Sequence, residues 1–416
     1  MSDDLELPSR RELPDDVRAR LRAEVRQGMA KRRPSRAWYA AAAAVLVLAA
    51  GAVVATKTFR QQPVAVPPAD QGNPLTLDSK VATAALDRCW AAVQTAGKAD
   101  RVPPRADWVP LFTKVLRADA VVAATAAGKP MFCETTDTTV TLTDPEAAPA
   151  YAAGTRTGLL LHSATGAVGG VLAPGGDGSY LETETESGDS GRSDLFASPV
   201  TRQFVDMTQS RPAATRLAIG KPTQPSVPLP AAPPPLLAVV DRPVTADRTS
   251  PAGRALGDCL AAADFEAIPD AAAYAPGPLL ETDLYRVATG RHGDRTVVCT
   301  TEPDYQRPGK TKSRTSLDEP PPQATPAYTL MVGTLGAVEA GGERGKSQTP
   351  FAVALPATAT SATVDFGAGT SVDAAVTVGM LAVWIPKDRY EPGRQVGVVA
   401  RDARGEVVYA GELLLM

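Results

Sequence analysis

The sequence predicts an α+β protein. One N-terminal transmembrane helix is followed by two repeated, disulfide-stapled α+β domains, the second of them extended by a β-rich C-terminal part. Three observations lead to this prediction. An uncharged stretch at 37–56 is long enough to cross a bilayer. Two cysteine-containing phrases, "PMFCETTD" at 130–137 and "RTVVCTTEPD" at 295–304, are near-copies of each other. Short β-like runs separated by turn residues follow each phrase.

Length and composition exclude several classes of protein. The 416 residues suffice for two or three domains, and the net charge of −3 argues against a nucleic-acid partner. Only two histidines occur, His162 and His292, and neither is near a cysteine in the sequence. Zinc sites and Cys/His catalytic pairs therefore lack ligands, and we expect no metal and no cofactor.

The predicted span "AWYAAAAAVLVLAAGAVVAT" has an asymmetric charge distribution. Trp38 and Tyr39 lie at its start, where aromatic rings favour the membrane interface. Four basic residues precede it and two follow it closely: Lys31, Arg32, Arg33 and Arg36, then Lys57 and Arg60. The positive-inside rule predicts a single-pass protein in the lipid of the cell membrane, with a cytoplasmic N-terminus and extracytoplasmic C-terminal domains. The alternatives are a signal peptide cleaved near Val53 and Ala55, and a buried core helix.

Before the span, residues 14–32 predict an amphipathic helix. Its apolar positions recur every four residues and form one stripe: Val17, Leu21, Val25 and Met29. Arginines cover the other faces. The stripe is a candidate binding site for a cytoplasmic protein, and the alternative is a basic helix lying on anionic lipid.

The two cysteine-containing phrases at 130–137 and 295–304 belong to an internal duplication. Cys89 lies in the helical segment "VATAALDRCWAAV", and Cys259 lies in "SPAGRALGDCLAAA", where Ser250 can cap the helix. A second cysteine follows in each copy, after a β-like run, at Cys133 and at Cys299. Thiols oxidise outside the cytoplasm, so we predict the disulfides Cys89–Cys133 and Cys259–Cys299. Crossed pairing and four free thiols are the alternatives.

Composition shifts give the domain boundaries. The predicted parts are listed in chain order: a cytoplasmic tail 1–36, the transmembrane helix 37–56, a Pro-rich spacer 57–75, domain copy 1 at 76–210, a Pro-rich linker 211–250, and domain copy 2 at 251–416. In copy 2, six short apolar runs after residue 350 predict additional strands, with a hairpin turn at Gly405. Copy 1 is then interpreted as a shortened version of copy 2. Residues 306–326 are interpreted as a long surface loop.

Motifs that would indicate catalysis or metal binding are incomplete. "AGGERGKS" at 340–347 has alanine where a P-loop requires glycine, which favours a loop. The acidic residues of "LETETES" at 181–187 alternate with threonine, which is typical of a solvated strand face. His162 and Ser163 are neighbours and would point to opposite sides of a strand, so they cannot act as base and nucleophile. An enzyme is therefore not expected.

A short cytoplasmic helix, one span and an Ala/Pro-rich outer region resemble the single-pass anti-sigma-factor-type membrane proteins of actinobacteria. The likeness covers mainly residues 1–60, and residues 1–36 lack the His-x3-Cys-x2-Cys zinc motif of that family's zinc form. The leading hypothesis is a non-enzymatic, membrane-anchored protein that binds an envelope ligand or partner. A transmembrane regulator whose helix 14–32 binds a cytoplasmic protein is the second, and an extracytoplasmic hydrolase is the third.

Overall fold

The computed structural model describes most of the chain after residue 74. The described residues are 75–176, 178–185, 190–222, 224–262, 267–304, 309–318, 327–330, 334–336 and 348–415. The chain separates into two units, Met1–Val66 and Pro67–Met416, and all described residues belong to the second unit.

The first half of the described region contains one helix and eleven strands, which together form repeat 1. They are, in chain order, α1 Ser79–Thr95, β1 Trp108–Leu116, β2 Asp119–Ala126, β3 Lys129–Thr135, β4 Thr139–Leu142, β5 Gly158–His162, β6 Ala167–Val171, β7 Tyr180–Thr185, β8 Ser190–Asp194, β9 Gln203–Met207, β10 Thr215–Lys221 and β11 Gln224–Pro228. A further strand, β12 Leu237–Val240, separates repeat 1 from repeat 2.

Repeat 2 contains the same elements in the same order. They are α2 Pro251–Ala262, β13 Ala275–Glu281, β14 Arg286–His292, β15 Arg295–Pro303, β16 Thr311–Asp318, β17 Tyr328–Leu330, β18 Pro350–Ala354, β19 Ser361–Asp365, β20 Ser371–Ala375, β21 Met380–Trp384, β22 Gln395–Arg401 and β23 Val407–Leu414.

The sheets of the two repeats have identical connectivity. Each repeat begins with an antiparallel meander, β1-β2-β3-β4 or β13-β14-β15-β16. A three-stranded sheet follows, β5-β6-β9 or β17-β18-β21. The last sheet has four strands, β11-β10-β7-β8 or β23-β22-β19-β20. The duplication therefore extends over the whole of both repeats.

This architecture corrects the predicted fold class. The described residues form antiparallel sheets with one helix per repeat, so the protein is β-rich and is not α+β. Repeat 2 is not an extended form of a shorter repeat 1, because both contain eleven strands. Strands β10, β11 and β12 lie within the predicted linker 211–250, and β16 lies within the predicted loop 306–326.

The single helix of each repeat is fixed to its meander by a cap and a disulfide. Asp78 accepts hydrogen bonds from the backbone N–H groups of Lys80 and Val81 at the start of α1. Ser250 caps α2 by accepting from the N–H of Gly253, as its sequence predicts. The structure contains the disulfides Cys89–Cys133 and Cys259–Cys299, each joining the helix to the third strand of its own meander.

Each meander is buried on both faces. In repeat 1 the helix covers one face, where Leu86, Cys89 and Met131 are fully buried. The three-stranded sheet covers the other face, where Phe132 packs among Leu160 and Val205. Strand β12 returns from the linker and pairs with β4, which extends the first sheet to five strands. The core of each repeat is therefore a layered β-structure with a helix on its outer side.

The predicted single-pass membrane localisation is also corrected. Across the described residues of 75–415, no helix is both long enough and apolar enough to cross a membrane. The predicted span 37–56, the tail 1–36 and all but the last residue of the spacer 57–75 lie outside the described residues. The stripe of Val17, Leu21, Val25 and Met29 lies outside them as well.

Candidate functional site

Repeat 1 has a surface that receives repeat 2, and we call it the docking surface. Turns and loop ends at one edge of repeat 1 supply its residues, which are Arg117, Asp119, Thr136, Asp137, Thr138, Gln209 and Arg211. Arg117 lies in the β1–β2 turn and donates to the backbone oxygen of Leu317 at 3.2 Å. Arg211 follows β9 and donates to the carbonyl of Leu260 at 2.7 Å, near the end of α2. The contact thus joins two turns and one loop of repeat 1 to the first elements of repeat 2.

Asp270 of repeat 2 is the most completely bonded residue of this contact. Its side chain is 0% exposed. One carboxylate oxygen accepts from the hydroxyl of Thr136 at 2.6 Å and from the backbone N–H of Thr138 at 3.0 Å. The other accepts from the backbone N–H of Asp137 at 3.1 Å. The turn between β3 and β4 therefore binds a carboxylate from the other repeat through one hydroxyl and two backbone N–H groups.

Arg295 supplies the cation at the centre of the contact. Its guanidinium lies 2.7 Å from Asp270, 2.6 Å from Asp137 and 3.2 Å from Asp119. The Arg295 side chain is only 6% exposed. A buried charge is tolerated when it is paired, and removing one partner leaves the others uncompensated. Arg295 therefore holds three carboxylates from both repeats together.

Two carboxyl groups of this contact, those of Asp119 and Asp270, have displaced pKa values. Burial raises the pKa of Asp119 to about 7, against the opposing attraction of Arg295. Burial also raises the pKa of Glu134, which lies on the same face of the meander and accepts hydrogen bonds from Ser163 and Thr165. At Asp270 burial acts upward, but the hydrogen bonds from Thr136 and Thr138 outweigh it and lower the pKa. Asp119 and Glu134 thus hold protons more strongly than ordinary carboxyls, and Asp270 does not.

Asp137, Asp270 and His292 have the geometry of a possible cation site. Their ligand atoms lie within 4.8 Å of one another. Arg295 already lies within hydrogen-bond distance of both carboxylates, and His292 Nε2 lies 3.3 Å from Asp137. The guanidinium of Arg295 therefore already pairs with both carboxylates of this group.

Repeat 2 contains an open cleft, which we call the repeat-2 cleft. Its volume is about 770 Å³. The lining residues come from the β13–β14 turn, the loop before β18 and the segment after β21: Glu281, Thr282, Asp283, Leu284, Tyr285, Thr334, Gln348, Thr349, Trp384, Ile385, Lys387 and Tyr390. Three of them are aromatic, and the charged ones include two carboxylates and one ammonium. Aromatic faces beside a few charged groups are the usual lining of a recognition site.

Strand register shows that the repeat-2 cleft and the docking surface occupy equivalent positions. Val122 lies opposite the strand cysteine of repeat 1, and Ala288 lies opposite that of repeat 2. Counting three residues back from each aligns Asp119 with Tyr285. Asp119 belongs to the docking surface and Tyr285 lines the cleft.

The segment after the last strand of the three-stranded sheet, β9 or β21, gives the same alignment. Met207 pairs with the first residue of β6, and Trp384 pairs with the first residue of β18. The loop that follows Met207 contacts repeat 2 through Gln209, whose carbonyl accepts from the N–H of Ala267 at 2.8 Å. The loop that follows Trp384 lines the open cleft. Two parts of the docking surface, at Asp119 and after Met207, therefore have counterparts that line the cleft. The turn that holds Asp270 aligns instead with residues 302–304, which do not line it.

The side chains at these equivalent positions differ in kind. Asp119 is replaced by Tyr285, and Met207 by Trp384. Arg117, two residues before Asp119, is replaced by Asp283. The surface of ionic anchors in repeat 1 thus becomes an aromatic surface with an acidic rim in repeat 2.

Sequence reasoning found part of these features. The cysteines were identified from the repeated phrases. The docking surface and the cleft were missed, because their residues come from turns that are far apart in the sequence. A signal that could have pointed to the cleft is the replacement of Asp119 by Tyr285 and of Met207 by Trp384 between the two copies.

Comparisons with known proteins give little guidance. No protein-family model matches the chain, and no curated protein matches it. Among solved structures, one match is a Ca²⁺-stabilised adhesin with which an Antarctic bacterium binds ice. It has 13% identity and a TM-score of 0.16, and the match covers 71% of this chain and 93% of that one. Another is a tetra-tandem repeat from the extending region of a large adhesion protein. It has 10% identity and a TM-score of 0.15, and the match covers 74% of this chain and 82% of that one. TM-scores this low do not indicate a shared fold.

Proposed function

We propose that this chain is a non-enzymatic binding protein that recognises an extended polypeptide segment of a partner in the repeat-2 cleft. One observation carries the proposal: the cleft contains the counterparts of Asp119 and of the loop after Met207, two parts of a surface that already binds polypeptide in repeat 1. The docking surface accepts a hydrogen bond from the backbone N–H of Ala267 and donates hydrogen bonds to the carboxylate of Asp270. A ligand that takes the same position in repeat 2 meets aromatic side chains instead of ionic anchors.

The lining of the cleft supports an extended ligand. Trp384 and Tyr390 are half-buried in its wall, and aromatic-lined grooves are the usual receptors for extended proline-containing segments. Exposed Asp283 in the β13–β14 turn favours a basic group on the ligand, whereas Glu281 already pairs with Arg286. The two disulfides support a role in an oxidising compartment.

The reactive groups of the described residues also support a non-enzymatic role. Ser163, beside His162 in the sequence, donates its hydroxyl to buried Glu134 at 2.9 Å. Burial lowers the pKa of His162 to about 4, so the imidazole is neutral at physiological pH. The serine is held by a buried carboxyl in the core of repeat 1, and it is not among the residues that line the cleft.

The experiment is a binding screen of the full chain against an array of extended peptides that vary in proline and charge. The matched variant is Trp384→Met, which installs the residue that repeat 1 has at this position. Tyr151→Ser removes an exposed aromatic residue of repeat 1 and serves as the control. We expect basic, proline-containing peptides to bind the wild type and the control, and to bind Trp384→Met at least about tenfold more weakly.

Two results would overturn the proposal. One is that no peptide binds, or that peptides bind the Trp384→Met variant as tightly as the wild type. The other is selective binding to polysaccharide beads in a parallel assay with loss in the same variant, which would assign the cleft to a glycan.

A further inference from the structure

We propose that the open edge of strand β23 pairs with the same strand of a second copy of this chain, so that the four-stranded sheets of two molecules join into one. This edge is separate from the repeat-2 cleft, and its pairing does not depend on the proposed function.

Strand β23 lies at one edge of the sheet β23-β22-β19-β20. Ala410 and Glu412 are exposed there, and Val407 and Leu414 are 51% and 50% exposed. An exposed edge presents backbone N–H and C=O groups that another strand can pair with. The edge of β23 is therefore a candidate surface for the addition of a strand.

The backbone groups of Ala410 and Glu412 point toward the open side. Leu415 exchanges backbone hydrogen bonds with the segment just before β22, so its own groups point into the sheet. Because these groups alternate along an antiparallel strand, those of Leu414, Glu412 and Ala410 point outward. The carbonyl of Leu414 accordingly accepts from the hydroxyl of Thr329 in β17, at 3.0 Å. No other described residue hydrogen-bonds to Ala410 or Glu412 on this side.

The hairpins β7–β8 and β19–β20 align this sheet with its counterpart in repeat 1. Glu184 pairs with Ser190, and Asp365 pairs with Ser371 at the same separation in the sequence. The row two residues earlier runs across the sheet through Glu182, Ala218 and Pro228 in repeat 1, and through Thr363, Val399 and Ala410 in repeat 2. Pro228 of β11 therefore corresponds to Ala410 of β23.

Repeat 1 blocks its edge at this position. The N–H of Leu229 donates to the carbonyl of Leu217 within the sheet, so the adjacent Pro228 faces the open side, where it has no N–H to offer. Other edge strands carry prolines or cations, which oppose pairing between edges: Pro276 and Pro278 in β13, and Lys312 and Arg314 in β16. Strand β23 has no proline, and its one charged residue is Glu412. Its edge therefore lacks the protection that these other edges have.

The sequence of β23 is complementary to itself in antiparallel pairing. With Gly411 on a two-fold axis, Ala410 of one copy lies opposite Glu412 of the other, and their outward backbone groups bond reciprocally. Glu412 then faces alanine instead of a second carboxylate, and Gly411 places no side chain on the axis. On the inner face Tyr409 lies opposite Leu413, an aromatic–aliphatic pair of the kind that stabilises sheets.

The second copy also extends the core of repeat 2. Tyr409 and Leu413 pack against the buried cluster that contains Val396 and Val398. Pairing places the same two side chains of another molecule beside them, so the two cores become continuous. A contact of one surface with itself is closed, and it produces a dimer and no larger assembly.

Sedimentation velocity of the full chain over a range of concentrations tests the dimer. We expect an equilibrium between monomer and dimer. Ala410→Pro installs the residue that repeat 1 accommodates at this position, and it removes an outward N–H from each copy. The dimer then loses a hydrogen bond on both sides of its axis, so we expect association at least about tenfold weaker.

Two charge variants test the register without changing the backbone. Ala410→Lys places a cation opposite Glu412 of the other copy, and we expect dimerisation about fivefold tighter. Ala410→Glu places a carboxylate there, and we expect dimerisation about fivefold weaker. Ala410→Glu/Glu412→Lys pairs opposite charges again and should restore association. Ala375→Glu makes the same exchange at an exposed position of β20, the opposite edge, and should leave association unchanged.

Three results would overturn this dimer. The first is a wild type that stays monomeric at all concentrations. The second is equal association of Ala410→Lys and Ala410→Glu, which would mean that these two positions do not meet. The third is growth beyond the dimer together with loss of association in Ala375→Glu, which would assign the contact to β23 of one molecule and β20 of the next.

Discussion

The docking surface of repeat 1 and the repeat-2 cleft lie at the same end of two copies of one fold, but the first is covered by another repeat and the second is open. Buried Arg295 and Asp270 fix repeat 2 to the docking surface. At the cleft, exposed Asp283 and half-buried Trp384 line an open space. The backbone topology is the same in both, so the difference lies in the side chains. A duplicated fold can therefore retain a binding position and change what that position binds.

The largest effect is expected when the ionic anchor of the docking surface is removed. Arg295→Met leaves Asp119, Asp137 and Asp270 without their shared cation. Breaking a buried ion pair in this way costs about 3–5 kcal/mol. We expect urea unfolding at pH 7 to show that loss in the free energy of unfolding, and to resolve separate transitions for the two repeats.

Arg286→Met is the matched control for this variant. Arg286 pairs with Glu281 in repeat 2, and their side chains are 41% and 51% exposed. Surface pairs of this kind contribute about 0–1 kcal/mol. If Arg295→Met were no more destabilising than Arg286→Met, the docking surface would not depend on its buried cation.

Removal of the disulfides compares the two repeats directly. Their cysteines are separated by 44 and 40 residues, so the entropy of the closed loop is nearly equal in the two. Replacing either pair by alanine should cost about 2–4 kcal/mol, with closely similar values for Cys89/Cys133 and Cys259/Cys299. Thermal unfolding of both double variants measures this. A large inequality would mean that the contact between the repeats supports one meander more than the other.

The local features of this fold were predictable from the sequence. Cysteines at helical spacing and at the ends of β-like runs indicated the two disulfides. The strands β18 to β23 were predicted, because they are short apolar runs separated by turn residues. The Gly405 turn between β22 and β23 was also predicted, and it is confirmed by a φ of +84°.

The features that were missed depend on contacts between distant residues. Strands β10 and β11 lie in the Pro-rich stretch 211–250, whose composition indicates a linker. Strand β16 is polar, so it resembles a loop in the sequence. The docking surface joins Asp119 to Arg295 across two repeats, and no local pattern encodes such a pair. Repeat 1 therefore appeared shorter than it is, and the functional surfaces were not visible.

The pH dependence of stability tests the electrostatics of the docking surface. The pKa of Asp119 is about 7 in the folded protein, above the ordinary value of 3.8 for an aspartate. The folded state therefore binds the additional proton between these values, and this carboxyl lowers the free energy of unfolding as the pH rises through that window. Relative to Asp119→Asn, the wild type should lose about 2 kcal/mol between pH 5 and pH 7.

In the comparison with Asp119→Asn, the pH-dependent contributions of two other groups to the free energy of unfolding cancel. His162 has a lowered pKa of about 4 and contributes the opposite slope, and Glu134 contributes the same slope as Asp119. Both are present in both proteins. Urea unfolding at several pH values gives the difference, and a difference that stays constant from pH 5 to pH 7 would contradict the raised pKa of Asp119.

The smallest effect on stability is expected at the cleft itself. Trp384→Met replaces a half-buried side chain by the one that repeat 1 uses, so the free energy of unfolding should fall by about 1 kcal/mol or less. Trp108→Met is the contrasting variant, because Trp108 is only 3% exposed and its loss should cost about 3 kcal/mol or more. A residue that contributes little to stability and much to binding is typical of a recognition surface. If Trp384→Met were as destabilising as Trp108→Met, Trp384 would belong to the core of repeat 2, and its loss of binding would no longer indicate recognition.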